Sequence, residues 1–258
     1  MRISPRLAAA LFAVWMIFFP QYIPAHFAWT VTPRMTQLFI GAGYIFRTYF
    51  FALFIFEKDW RKLRWAFVGN MVFTGALMLA TLWHADEMHW RTVVGHLWII
   101  LYTAEPVTMF LLIPRGETAR LAHTTTGGPI LPWFRRFLML EVGITALLGA
   151  FLIINPEFFN TRWPWNLNPF DARIMAAWFV GWACWAGAIV LAEDWDEVRL
   201  AAIGNIIFGL ALTAVNLIFY SQFDHTKPNV NGYVIWIIIL TLGMAFFYWQ
   251  QERRRARA

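Results

Sequence analysis

Eight segments of mostly apolar residues, each long enough to cross a lipid bilayer, follow one another along this chain, and no polar stretch between them is long enough to form a water-soluble domain. They cover residues 7–23, 34–56, 65–83, 92–113, 134–154, 172–192, 200–220 and 231–249. A hydrocarbon core of about 30 Å needs about 20 residues of helix, and within it every backbone N–H and C=O must find its partner inside the segment. Each segment therefore reads as a transmembrane helix. Composition agrees, since 14% of the 258 residues are charged, where soluble domains carry about a quarter. The predicted fold is an all-α integral membrane protein. Its chemistry has to be built on helix ends, short loops or the bundle interior.

The chain also repeats itself. DWRKLRWAFVGN (59–70) returns as DWDEVRLAAIGN (194–205), and aligning 59–82 with 194–217 gives ten identities in 24 positions. FAWTVTP (27–33) likewise matches WPWNLNP (163–169). Greasiness alone does not produce such agreement, so the sequence predicts a tandem duplication: a four-span unit at 1–113, a cytoplasmic linker at 114–132, and a second four-span unit with a basic tail at 133–258. Four spans is an even number, so the eight helices form two parallel four-helix repeats about an axis along the membrane normal. The basic, apolar start MRISPRLAAALFAVWMIFFP is read as a span rather than a cleaved signal, because a comparable segment opens the second unit.

The repeated residues have architectural readings. Ala66, Gly69, Asn70, Phe73 and Leu77 recur at intervals of three and four, as do Ala201, Gly204, Asn205, Phe208 and Leu212, which predicts a close-packing helix face with an amide on it. Asp59 and Asp194 are candidate helix caps, Trp60 and Trp195 candidate headgroup anchors, and Arg64 and Arg199 candidate partners of lipid phosphate. Trp29 and Trp165, each four residues before Pro33 or Pro169, are expected to anchor their loops in the membrane interface. These W-x-[VL]-[TN]-P segments, with DW-x-x-x-R and GN beyond them, resemble a group of uncharacterised bacterial multipass membrane proteins with repeated W-x-L-[TN]-P segments. The resemblance covers both halves, and it brings with it no activity, cofactor or catalytic residue.

Orientation follows from the basic residues. With both ends on one face, that face receives 15 of the 21 Lys and Arg residues, the other receives five, and Arg47 falls within a span. The positive-inside rule then puts both termini in the cytoplasm of a bacterial cell, in the inner membrane. The net charge of +6 is largely this signal, and the tail QQERRRARA is read as an anchor at anionic lipid rather than a nucleic-acid site.

Chemistry is sought where the halves differ. Arg47, Glu105 and Glu141 are ionisable groups inside spans, where an unpaired charge is costly and often marks a substrate or proton path. Arg47 and Glu105 match in depth and are expected to pair, with Glu141 a candidate third member. Pro106 should break a helical hydrogen bond beside them. Arg47 aligns with Ala183, so such a site is asymmetric. On the opposite face, His84, Asp86 and His89, with Asp224 and His225 in the equivalent loop, form a weaker candidate metal or acid/base site, for the spacing of His84 and His89 misses the i, i+4 ligand face. A solvated loop is the plainer reading. His96 has no mate for a haem, every lysine falls in a loop, and no nucleotide-binding glycine pattern occurs, so no cofactor is expected.

Three functions fit: a small-molecule or ion transporter or binding protein with its path near the interface of the halves; an accessory or scaffolding subunit of a membrane complex; and, third, a membrane-embedded enzyme using the His/Asp/Glu loops. Membrane lipid, a small ligand and a membrane protein partner or second copy are the expected partners, and nucleic acid is not.

Overall fold

The computed structural model of the protein describes residues 5–120 and 127–257. It is all-helical, 82% of it in helix, with no strands among the described residues. Ten α-helices are described: α1 Pro5–Phe18, α2 Ile23–His26, α3 Arg34–Phe56, α4 Trp60–Trp83, α5 Val93–Arg120, α6 Pro132–Ile154, α7 Pro156–Asn160, α8 Pro169–Leu191, α9 Trp195–Ile218 and α10 Val230–Arg255. Seven of them (α3 to α6 and α8 to α10) are long and apolar enough to cross a membrane. An eighth span exists if α1 is counted with the bent turn that follows it.

That turn corrects the first predicted span. The helix stops at Phe18, and the chain turns by 100° into a short helical segment, Pro20–His26. Pro20 and Pro24 account for the break, because each lacks the N–H a continuing helix would use. The 14 residues of α1 are about 21 Å long, short of a full hydrocarbon core. At the other extreme, α5 continues past residue 113 to Arg120, through part of the predicted linker. Of that linker, residues 121–126 lie outside the described residues.

Helix starts follow the sequence closely. The Asp59 carboxylate accepts from Arg61 N–H at 3.1 Å, and Asp194 from Asp196 N–H at 2.9 Å, so α4 and α9 are N-capped and begin several residues before their apolar runs. Asp194 also takes Gly127 N–H at 3.0 Å and Gly128 N–H at 3.1 Å, strapping the chain ahead of α6 to the start of α9. Asp59→Ala is therefore expected to cost about 1 kcal/mol, and Asp194→Ala more than about 2 kcal/mol, because it also strands two backbone donors. Chemical unfolding in detergent measures both. The Arg61 guanidinium bonded to Asp59 holds its carboxyl below the usual carboxylate range. Its contribution is thus complete at neutral pH and is lost as pH falls from about 4 through the lowered folded value, a slope that Asp59→Asn should remove.

Packing crosses between the two stretches of chain. α1 lies on α3 and α6 on α8; α4 pairs with α5 and α9 with α10. In the centre α4 packs against α8 and α9, and α3 packs against α9, while α3 barely touches α4, its neighbour in sequence. Lipid tails are as apolar as Leu, so helices adhere here through close fit rather than hydrophobic exclusion. Gly69 provides one such fit: a Cβ there would stand 2.2 Å from Trp185 Cδ1 on α8. Gly204 provides another, 2.9 Å from Phe46 Cε2 on α3. Phe73 of α4 and Phe208 of α9 fill the middle, with centroids 4.2 and 5.4 Å from Trp178.

Two tryptophans read as interface anchors are instead interior. Trp29 is buried and donates its indole N–H to Asp171 at 2.9 Å, the third residue of α8. Trp165 is buried and donates to Thr36 at 2.9 Å, the third residue of α3. Each loop thus ties down the other stretch's helix start. Trp195 is also buried, its N–H 2.6 Å from Glu252 Oε1, and Arg199 reaches the same oxygen at 3.0 Å. A carboxylate of α10 holds Trp195, which had been assigned to headgroup depth, and takes the Arg199 guanidinium assigned to lipid phosphate.

Candidate functional site

Arg47, Asn70 and Glu105 meet in the middle of the bundle from α3, α4 and α5. Each stands nine to eleven residues from the end of its span nearest the basic residues, roughly 14–17 Å along the helix axis. Arg47 Nη2 donates to both Glu105 oxygens, at 2.5 and 2.6 Å, and Nη1 donates to Asn70 Oδ1. Asn70 closes the triangle by donating to Glu105 Oε2 at 3.3 Å and to Met109 Sδ at 3.1 Å. The guanidinium also lies over the ring of Phe51, 4.5 Å from its centroid, with Phe50 and Phe73 at 5.3 and 5.7 Å. Arg47 is 2% exposed, yet its charge is balanced, hydrogen-bonded and faced by aromatic rings, the conditions under which a buried cation is tolerable.

The Glu105 side chain keeps 13% of its surface, and that surface looks into a cavity of about 570 Å³. Helices α1, α3 and α5 line it, with Phe12, Phe51, Trp98 and Leu101 as apolar wall and Tyr44, Tyr102, Arg47 and Glu105 as the polar part. The two phenol oxygens are 3.3 Å apart. Beside them the carbonyl of Tyr102 has lost its helical donor to Pro106, four residues on. Leu11 of α1 and Leu97 and Leu101 of α5 flank the cavity and are about half exposed, so it opens sideways, towards the face a bilayer would cover. Among the described residues none beyond Glu105 lines it, so the cavity lies within the first stretch of chain and not between the two.

The surroundings of the second Gly-Asn pair, Gly204 and Asn205, are built differently. Asn205, 135 residues after Asn70, is buried with no partner for either amide atom, and Ala183 is the residue that aligns with Arg47 in sequence. The space between α6 and α10 is filled by Phe134 and Phe137, with centroids 5.6 and 5.3 Å from Phe247. Glu141 does not join the Arg47 cluster: it is fully buried, and neither carboxyl oxygen has a hydrogen-bond partner.

The loop candidates are taken up by local structure. His84 sits between Glu87 Oε1 at 2.6 Å and Arg173 Nη1 at 2.7 Å, stacked on Phe170. His89 contacts the Phe27 carbonyl and Thr30 Oγ1, both at 3.0 Å. Asp224 accepts from Thr226, and His225 lies 3.1 Å from the Tyr220 carbonyl. Among the described residues no three His, Cys, Asp or Glu side chains are grouped to hold a metal, so His84, Asp86, His89, Asp224 and His225 do not converge.

Sequence reading did not include Tyr44, Tyr102 or α1 in the site. The signal was present in the spacing: Tyr44 precedes Arg47 by three residues and Tyr102 precedes Glu105 by three, one helical turn in each case.

Fold and site together define an all-helical protein with seven or eight helices able to span a membrane and an ion pair at the floor of a side-opening cavity. Comparison with protein-family models, with curated proteins and with solved structures returns no match to this chain.

Proposed function

We propose that the protein is an eight-span inner-membrane protein with both termini in the cytoplasm, built as two parallel four-helix repeats, that binds and carries an uncharged lipophilic small molecule. The repeat reading is supported by equal lengths, 23 residues for α3 and α8 and 24 for α4 and α9, and by the reciprocal indole bonds of Trp29 and Trp165. The crowding of basic residues at one end supports the orientation.

The observation that carries the function is the side-opening cavity. Its apolar wall suits a hydrocarbon chain arriving from the bilayer, and about 570 Å³ falls in the range of small-ligand sites. Its floor carries no net charge, because Glu105 cancels Arg47. Of the paired phenols, one spends its proton on the other and the second keeps an O–H to give. Such a floor favours a carbonyl or hydroxyl head over a carboxylate or phosphate. The cavity runs from Pro5, the first residue of α1, to Val94, the second of α5, whose ends lie towards opposite faces, which suits carriage across the membrane.

Thermal unfolding of the purified protein with added lipophiles tests this. An alkylated benzoquinone or a prenol should raise Tm in a concentration-dependent way, and a fatty acid of the same chain length should do so less. Leu101→Trp, which fills the cavity, should abolish the shift, and Tyr102→Phe should reduce it. Equal stabilisation by all three lipophiles, or a shift unaffected by Leu101→Trp, would refute the reading.

A further inference from the structure

We propose that Glu141 is a proton-binding site: a carboxylic acid held neutral in the interior of the second stretch of chain, separate from the Arg47 cavity and different from it in chemistry. Glu141 is the tenth residue of α6 and is fully buried. Neither of its oxygens has a hydrogen-bond partner. The hydroxyl nearest in sequence on the same helix face, Thr145, is already committed, donating to the backbone carbonyl of Glu141 at 2.8 Å. From α8 the indole N–H of Trp182 faces the carboxyl as a neutral, poorly placed donor, and it brings no charge.

No countercharge reaches it from any element packed on α6. On α6 itself, Arg135 and Arg136 lie six and five residues earlier; Arg135 donates to the Ala192 carbonyl at 2.8 Å, and Arg136 lies over Trp133. On α8, Asp171 and Arg173 are eleven and nine residues before Trp182 and are bonded to Trp29 and His84. The Cys184 thiol, two residues beyond Trp182, brings no positive charge. On α10, Phe137 of α6 rests on Gly243, and Glu252 with the arginines after it begins nine residues beyond that, about 14 Å along the axis. On α7, Glu157 is exposed at the opposite end of the bundle.

A carboxylate without a partner in such surroundings costs far more than a neutral acid, so the group keeps a proton instead of a charge. Further buried polar atoms without partners lie on α8 and, behind it, on α9, namely the indole nitrogen of Trp185 and both amide atoms of Asn205. In the first stretch the corresponding amide, Asn70, is saturated by a fixed ion pair; here the acid has no countercharge and can change its charge by one when its proton leaves. That change would leave an uncompensated charge between α6 and α8, so loss of the proton should weaken their packing.

Infrared spectroscopy of the full-length protein in lipid nanodiscs decides it. At neutral pH the wild type should show a C=O stretch of un-ionised carboxylic acid, shifted in D2O, with a component that Glu141→Gln removes and that Glu105→Gln and Asp171→Asn both retain. Glu141→Gln, a neutral isostere of the protonated acid, should unfold within a few degrees of wild type. Should that variant not fold, raising the pH on wild-type protein serves instead, since the band should disappear as the acid ionises. A band unchanged by Glu141→Gln, or no un-ionised carboxyl band in wild type at neutral pH, would overturn the proposal.

Discussion

Glu105→Leu should destabilise the protein by about 3–5 kcal/mol, the range for removing one member of a buried ion pair. The reason is chemical asymmetry. Without Glu105, Arg47 keeps only the Asn70 carbonyl and three aromatic rings in a site where it is 2% exposed, and a guanidinium does not give up its proton to escape the cost. The mirror change, Arg47→Leu, should cost less, because the Glu105 carboxylate keeps 13% of its surface at the cavity and is less completely desolvated than the guanidinium. The double variant Arg47→Leu/Glu105→Leu should recover most of the loss, since it removes both charges together. Denaturant titration in detergent reads all three variants. A double variant as unstable as Glu105→Leu would mean that the pair contributes by shape rather than by charge.

The second large effect is expected at Gly69. A methyl group there would stand 2.2 Å from Trp185 Cδ1 and 2.4 Å from Nε1, and Trp185 is itself wedged against Phe46, centroid to centroid 4.5 Å. Overpacking of this kind costs about 1–3 kcal/mol and occasionally more, and with the indole so enclosed Gly69→Ala should lie at the upper end. Gly204→Ala should cost less, because its nearest neighbour is the rim of the Phe46 ring at 2.9 Å. Trp185→Phe should suppress the Gly69→Ala defect if the indole is the obstacle. Additive losses in the double variant would place the strain elsewhere.

Much of this architecture could be read from the sequence because lipid leaves few choices. Span lengths and the aspartate caps are local properties, and α3 begins at Arg34 and ends at Phe56 as its apolar run does. The Arg47–Glu105 pair was legible from depth alone, since both are charged and both lie deep in their spans. Depth does not determine which way a helix is rotated, so Glu141, at comparable depth, reads like a third member although no bond joins it to the pair. Burial of Trp29, Trp165 and Trp195 was hidden for another reason: an amphipathic ring near a span end suits a membrane interface and a satisfied interior equally well. What distinguishes them is a partner more than 100 residues away for Trp29 and Trp165, and 57 away for Trp195. The Phe18 break was signalled by two prolines and outweighed by the apolar run around them.

The exchange of partners at the centre has a consequence during synthesis. When α4 leaves the ribosome, the face bearing Gly69 and Phe73 has no mate, because α3 barely touches it and α8 is roughly a hundred residues away. At about 5–20 residues per second that face waits on the order of 5–20 s inside the membrane. The first four helices can be inserted in that time, but they cannot be finished. Two polypeptides, one ending after α5 and one starting before α6, should consequently assemble with each other when made in the same cell, and each should be degraded when made alone.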